Sequence, residues 1–198
     1  MAENIETLLK ESRLYQPTAQ TKAAAYIQDY ESSYNKSIAD PEGFWSDVAK
    51  ELEWFSPWTK VLEWNYPWAK WFVGATCNIT YNCLDRHVKT WRKNKVAVIW
   101  IGENDQERVI TYGELYRQVN RCANALKRLG LTRGDRVTIY LPKVPEQIVA
   151  MLACARIGVI HSVVYSGFSA PALASRIQDA EAKLVITADV GFDRGKVI

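Results

Sequence analysis

Between residues 96 and 188, short β-branched runs alternate with stretches of helical periodicity, and this alternation limits the chain more than any other feature. VAVIWI (96–101) is a continuous apolar run, as a buried strand would be. Thr111 and Glu114 have capping-box spacing. Leu115, Val119, Cys122, Leu126 and Leu129 then step along one helix face, and Gly130 closes it. Val137, Ile139 and Leu141 alternate as a strand. Pro145 opens a helix that Gly158 ends, and VIHSVVY (159–165) is a third strand. Ser169 caps a helix carrying Leu173 and Ile177, and KLVITA (183–188) is a fourth strand. Strand and helix in turn at this spacing predict an α/β domain with a mainly parallel sheet.

Residues 1–95 read differently: aromatic, mixed and poor in β-branched runs. We place the change of organisation near 90–95, giving an N-terminal cap (1–95) and the start of an α/β domain (96–198). Residues 18–34 read as a helix with Ala23, Ala24, Tyr26, Ile27 and Tyr30 on one stripe. Asp40-Pro41-Glu42 reads as a helix start, followed by Phe44, Trp45, Val48 and Leu52 at helical spacing. Five tryptophans (Trp54, Trp58, Trp64, Trp68, Trp71) fall within 18 residues, and Pro57 and Pro67 exclude one long helix there. An irregular packed layer is expected over 54–72, its tryptophans used in the core and in domain packing rather than as a membrane belt or a base-stacking surface.

The net charge is only +3 over 198 residues, too little to hold nucleic acid by bulk electrostatics. Four cysteines without a C-x-x-C and only two histidines support neither a disulfide framework nor a zinc site, and reduced thiols in the cytoplasm are expected. The polar N-terminus lacks a basic segment ahead of an apolar one, so no secretory signal is read. Residues 148–168 carry one charge, Arg156, but its mid-span position, Gly158 and the β-branched run after it argue for a buried helix–strand pair rather than a membrane span. Asp85-Arg86-His87 is read as a structural ion-pair cluster, His161 as a satisfied core histidine, and the basic run 86–95 as a solvated face. No nucleophile with an adjacent base stands out, so no catalytic residue and no metal ligand is assigned.

Two turns follow strands. Ser166-Gly167-Phe168-Ser169 lies where ligands bind in open parallel sheets, and Gly167 lets a ligand approach the backbone; a tight turn with a helix cap is the plainer reading. Gly191-Phe192-Asp193-Arg194-Gly195-Lys196 has three residues between its glycines and Val197 after its lysine, so it is no Walker A loop. Backbone amides with Arg194 and Lys196 suit a phosphate, while a solvated basic turn is the alternative.

The strings YNCLDRH (81–87), TYGELYRQVNRCANALKRLG (111–130), GDRVTIYLPKVPE (134–146), AMLACARIGVIHSVVYSGFS (150–169) and KLVITAD (183–189), together with PEGFW (41–45), resemble the acetyl-CoA synthetases of the acyl-adenylate-forming superfamily. The resemblance runs from about residue 20 onward and favours the acetate branch. It implies an AMP-forming acetate–CoA ligase: acetate and ATP with Mg²⁺ give an acyl adenylate, which the CoA thiol then attacks. It also implies that this chain is the N-terminal cap plus the first α/β subdomain. The family's phosphate loop, acetate-pocket string, ribose-binding aspartate and adenylating lysine do not occur in these residues. The chain is therefore expected to be a fragment, inactive in adenylation alone.

By the same resemblance, the family's stretch contacting the nucleotide end of CoA maps onto Asp193, Arg194, Gly195 and Lys196, and its aromatic-Gly-Gly turn beside the CoA channel maps onto Tyr165, Ser166 and Gly167. Asp193 stands where the family usually has Arg, and Ser166 where it usually has Gly. The alternative function is a non-catalytic module binding CoA or a partner protein. Small-molecule substrates, no nucleic acid and no membrane are expected; the sequence does not set an oligomeric state.

Overall fold

Two capping residues, Thr18 and Asp29, fall inside the window that reads as one helix, and each starts a helix of its own. The Thr18 side chain accepts from Thr21 N (3.1 Å) and starts α1 (Ala19–Ala24); Asp29 accepts from Ser32 N (3.0 Å) and starts α2 (Tyr30–Ala39). The expected single helix over 18–34 is thus split, and Tyr26, Ile27 and Tyr30 are exposed rather than forming a buried stripe. Asp40 does cap a third helix, α3 (Pro41–Ala49), accepting from Gly43 N at 2.9 Å with Pro41 in the first turn. The computed structural model describes residues 14–103, 105–193 and 196–197, and the chain divides into two compact units between Lys50 and Glu51.

The tryptophan-rich segment is a hairpin, not an irregular layer. β1 (Lys60–Asn65) pairs antiparallel with β2 (Trp68–Val73), with Leu62 opposite Trp71 and Asn65 opposite Trp68. Pro67 follows a cis bond in the two-residue turn, where no ladder donor is required. Trp54, Trp58 and Phe72 pack with ring centroids 5.2–5.4 Å apart. Trp64 and Trp68 at the hairpin tip are 66% and 74% exposed and Trp71 is 43% exposed, which corrects the core reading for those three.

A π-helical turn (Tyr81–Asp85) and a short α turn (Arg86–Val88) then dock onto a later helix, α5 (Pro145–Arg156). Asn78 Nδ2 donates to the carbonyls of Ala155 (3.0 Å) and Arg156 (3.2 Å), and Thr80 Oγ1 donates to Leu152 O (2.8 Å). Asn78 thereby caps the last turn of α5, reaching Arg156 O and joining the Gly158 N–H (3.3 Å) at Ala155 O, while Thr80 adds a second bond to Leu152 O. Asp85 receives both Arg156 amino groups, at 3.1 and 2.7 Å. Asp85-Arg86-His87 is structural, but its ion pair is that of Asp85 with Arg156 rather than one within the cluster: Arg86 donates to Glu51 O (2.7 Å), and the His87 ring lies 5.1 Å from that of Tyr112.

VAVIWI is a strand, β3 (Val96–Ile101), but it is not buried on both faces. It pairs antiparallel with β4 (Glu107–Thr111), a strand the sequence reading omitted, and with no other strand among the described residues. Ala97 and Val98 pack on the core, while Ile99 and Ile101 are 61% and 70% exposed. Thr111 then starts α4 (Tyr112–Arg128) through a complete capping box: Glu114 N donates to Thr111 Oγ1 (3.2 Å), and Thr111 N donates to Glu114 Oε2 (2.9 Å). These bonds hold the Glu114 carboxyl below its usual range. Leu115, Val119 and Leu126 are buried as their spacing predicts; Leu129, past the helix end, is exposed.

The remaining strands form one parallel sheet, β5 (Arg136–Tyr140) at its centre, β6 (Ile160–Val163) on one side and β7 (Leu184–Thr187) on the other. Val137 lies between His161 and Leu184, and Ile139 between Val163 and Ile186. Val137, Ile139 and Leu141 are buried against Val119 and Ala123 of α4 and Val149, Ala150, Ala153 and Cys154 of α5. Gly158, at φ +73°, ends α5 where a side chain would also meet Arg133. Helix α6 (Ala170–Asp179) links β6 to β7. His161 is half-buried, and burial lowers its pKa; no hydrogen bond reaches its ring among the described residues, so it is not the satisfied histidine expected. Beyond β7, β8 (Phe192–Asp193) pairs with β9 (Lys196–Val197) in a two-rung antiparallel ladder. No described helix is long and apolar enough to cross a membrane.

Candidate functional site

A parallel sheet directs the loops after its strands to one side, and here all three reach one cavity of about 510 Å³. Pro142, Lys143 and Val144 follow β5, Tyr165 and Ser166 follow β6, and Val190, Gly191 and Phe192 follow β7. The fourth wall comes from outside the sheet: Trp100, Ile101, Gly102, Glu103 and Gln106, at the turn of the β3–β4 hairpin.

Specific bonds hold these walls together. Trp100 Nε1 donates to Lys143 O at 2.7 Å, joining the hairpin to the loop after β5. Arg108 Nη1 meets Glu146 Oε1 at 2.9 Å, joining it to the first turn of α5; the guanidinium lowers the Glu146 pKa against the opposing effect of burial. The Tyr140 hydroxyl is shared between the carbonyls of Ser166 (2.7 Å) and Phe168 (3.0 Å), and Phe168 N donates to Tyr165 O (3.1 Å). The turn after β6 is therefore anchored from the central strand. The Tyr165 and Phe168 rings meet edge to face at 6.0 Å, and the Arg176 guanidinium lies 4.3 Å from the Phe168 centroid.

Of the residues singled out from sequence, Tyr165 and Ser166 line the cavity, as do Gly191 and Phe192 at the entry to the second turn. Gly167 supports the cavity without lining it. A Cβ there would fall 2.5 Å from Tyr165 Cε1, so the missing side chain makes room for the protein's own ring rather than for a ligand. Asp193 and Lys196 are opposite one another in the β8–β9 ladder; Arg194 and Gly195 lie outside the described residues. The sequence reading missed the hairpin wall and Lys143. A strand repeat on both sides of Gly102–Gln106 signalled the hairpin; nothing local signalled its placement over the ends of the parallel strands. The lining carries three aromatic residues, the basic Lys143 and the acidic Glu103, and its aromatic faces suit a flat heterocycle.

Comparisons with known proteins give this architecture a family. Residues 30–83 match the model for the acetyl-coenzyme A synthetase N-terminus, and residues 84–197 match the model for AMP-binding enzymes. Acetyl-coenzyme A synthetase of Gemmatimonas aurantiaca is 50% identical over 195 residues, covering 98% of this chain and 30% of that protein. The enzyme of the same name from Chlorobaculum tepidum is 48% identical over 200 residues, covering 100% of this chain and 30% of the relative. Among solved structures, acetoacetyl-CoA synthetase from Streptomyces lividans superimposes with a TM-score of 0.84 at 30% identity, over 92% of this chain and 31% of that one. The chain thus spans about 30% of the length of the curated relatives it matches. The AMP-binding enzyme match takes in more than half of the chain, including the whole parallel sheet and the loops that ring the cavity; the chain belongs to the AMP-binding enzyme family.

Proposed function

We propose that the chain is the N-terminal portion of an acetate–CoA ligase, which activates acetate with ATP to acetyl adenylate and passes the acetyl group to CoA, releasing AMP and pyrophosphate. The observation that carries this reading is the near-50% identity to acetyl-coenzyme A synthetases along essentially the whole chain. The residues from Glu51 onward supply a cavity at the strand ends, and the proposal assigns it part of the CoA path. In this proposal Tyr165 and Ser166 border that path, Gly167 seats the Tyr165 ring, and Asp193, Arg194, Gly195 and Lys196 serve the nucleotide end by their resemblance in sequence. Aromatic faces and the Lys143 ammonium fit an adenosine phosphate.

No three His, Cys, Asp or Glu side chains gather among the described residues, and the proposal gives this chain no part in holding Mg²⁺. We assign the cap role to residues 1–95 and the start of the ligase domain to 96–198, working in the cytoplasm on small-molecule substrates.

The test is acetate-dependent exchange of pyrophosphate into ATP. A polypeptide extending this sequence to the length of its relatives is expected to catalyse it, and the 198-residue chain alone is expected not to. An extended protein with the family's motifs intact that shows no exchange with acetate refutes the assignment.

A further inference from the structure

We propose that Tyr140 is a positioning residue for the CoA step: its hydroxyl fixes the turn after β6, and with that turn the Tyr165 ring, as one wall of the CoA path. The inference rests on the CoA reading of the cavity. Its own basis is the way this turn is tied to the sheet. Tyr140 is the last residue of β5, the central strand. From there its hydroxyl lies 2.7 Å from Ser166 O and 3.0 Å from Phe168 O. A phenol has a single O–H to donate, so the two carbonyls share it, and no other donor among the described residues reaches either of them. The last backbone bond to β5 before the turn is that of Val164 N to Ile139 O (2.9 Å). The other contacts of residues 165–168 stay within the turn or lead to the next helix. Phe168 N donates to Tyr165 O (3.1 Å), the two rings meet edge to face, and Arg176, bonded to Ala172 O (2.9 Å), covers Phe168. The Tyr140 hydroxyl is thus the hydrogen-bonded tie between the turn itself and the sheet.

Gly167 carries that hold to the cavity. A Cβ on it would fall 2.5 Å from Tyr165 Cε1 and 3.0 Å from Cζ, so the ring lies against the turn and follows its backbone. Ser166, whose carbonyl the hydroxyl holds, lines the cavity beside Tyr165. Releasing the turn therefore displaces one wall, while the strand beneath keeps Val137 and Ile139 buried in the core. Adenylation of acetate consumes no CoA, so a change confined to this wall falls on the second half of the reaction.

Tyr140→Phe removes the hydroxyl and keeps the ring. In the extended polypeptide used for pyrophosphate exchange, it is expected to raise the KM for CoA about fivefold, the worth of one net hydrogen bond, with kcat and the KM values for ATP and acetate kept. Amides of residues 164–169 should exchange hydrogen faster by a similar factor, and those of β5 at their former rate. A hydroxyl that only stabilised the fold would not single out one substrate. If exchange into ATP proceeds and the KM for CoA is unchanged, or the constants for all three substrates shift together, Tyr140 does not position this wall; the inference is overturned and the ligase reading stands. Unchanged hydrogen exchange over 164–169 overturns it as well. If the extended wild type makes neither the exchange nor a thioester from CoA, the ligase reading falls, and this inference with it.

Discussion

Removing the Asp85 carboxylate should cost more stability than removing any exposed charge in the chain. Asp85 and Arg156 are 71 residues apart in sequence and meet through two N–H···O contacts of 3.1 and 2.7 Å, with side chains 14% and 20% exposed. The guanidinium also lies 5.3 Å from the Tyr116 ring centroid, and its Nε is buried without a partner. Asp85→Ala leaves this largely buried cation without its carboxylate partner. Orphaning one member of a fully buried pair costs about 3–5 kcal/mol, and the residual exposure brings the expected cost to about 2–3 kcal/mol. For a chain of this length that corresponds to a melting temperature lowered by roughly 4–12 °C. The loss should concentrate where Asp85 acts. Amides at the end of α5 should exchange faster, because the docked segment also carries Asn78 and Thr80, the caps of that helix.

A double-mutant cycle decides whether the pair or merely the packing is responsible. Arg156→Met keeps apolar bulk on Tyr116 and removes the charge. If the ion pair carries the effect, Asp85→Ala in the Arg156→Met background costs far less than in wild type, leaving a coupling of about 2 kcal/mol. Urea unfolding followed by circular dichroism measures each corner of the cycle. Single costs that add to within about 0.5 kcal/mol would refute the reasoning, since independent sites add that well.

Three further outcomes follow from the same structure. Thr138 Oγ1 is buried at the centre of β5 without a partner, so the isosteric Thr138→Val should raise stability by about 1 kcal/mol in urea melts. The Asp135 carboxyl is held down to about 2 by Lys183 (2.5 Å) and by the Thr132 N–H (2.8 Å). Its folded pKa lies below its unfolded value near 4, so its contribution is complete above about pH 4 and is lost as pH falls toward 2; Asp135→Asn should flatten the stability curve across that window. Cys77 and Cys83 are exposed, whereas burial pushes the Cys122 thiol up and the Cys154 thiol to about 11. A thiol-reactive disulfide reagent should therefore modify Cys77 and Cys83 quickly in the native chain, Cys122 more slowly, and Cys154 only on unfolding.

Local signals were read well wherever the chain satisfies itself locally. The capping box of Thr111 and Glu114, the spacing of Leu115, Val119 and Leu126, and the alternation of Val137, Ile139 and Leu141 are each written within one short stretch, and each appears as expected. Readings failed where a second local signal competed or a distant partner decided. Asp29 broke the helix because its side chain offers Ser32 N a bond, and periodicity cannot weigh that offer. VAVIWI has the composition of a strand buried on both faces, yet its only described neighbour is β4. Apolar content states what a strand tolerates, whereas its burial depends on chain that packs from elsewhere.

The candidate site divides along the same line. Its floor was legible because the carboxyl ends of parallel strands share one edge of the sheet, so the turns after β6 and β7 had to open on the same side once the sheet was inferred. Its roof was not. Trp100 covers the cavity because its indole N–H reaches a carbonyl 43 residues later, and Arg108 helps because it finds Glu146. Neither partner is distinguished by its type: one is a backbone oxygen, which every residue has, and the other is one of many carboxylates. Gly167 shows the same limit at shorter range. A glycine after a strand reads as space left for a ligand, and only the position of the Tyr165 ring, 2.5 Å from where a Cβ would lie, shows that the protein itself fills that space. What Gly167 selects is therefore the orientation of Tyr165, and through it the shape of the cavity wall.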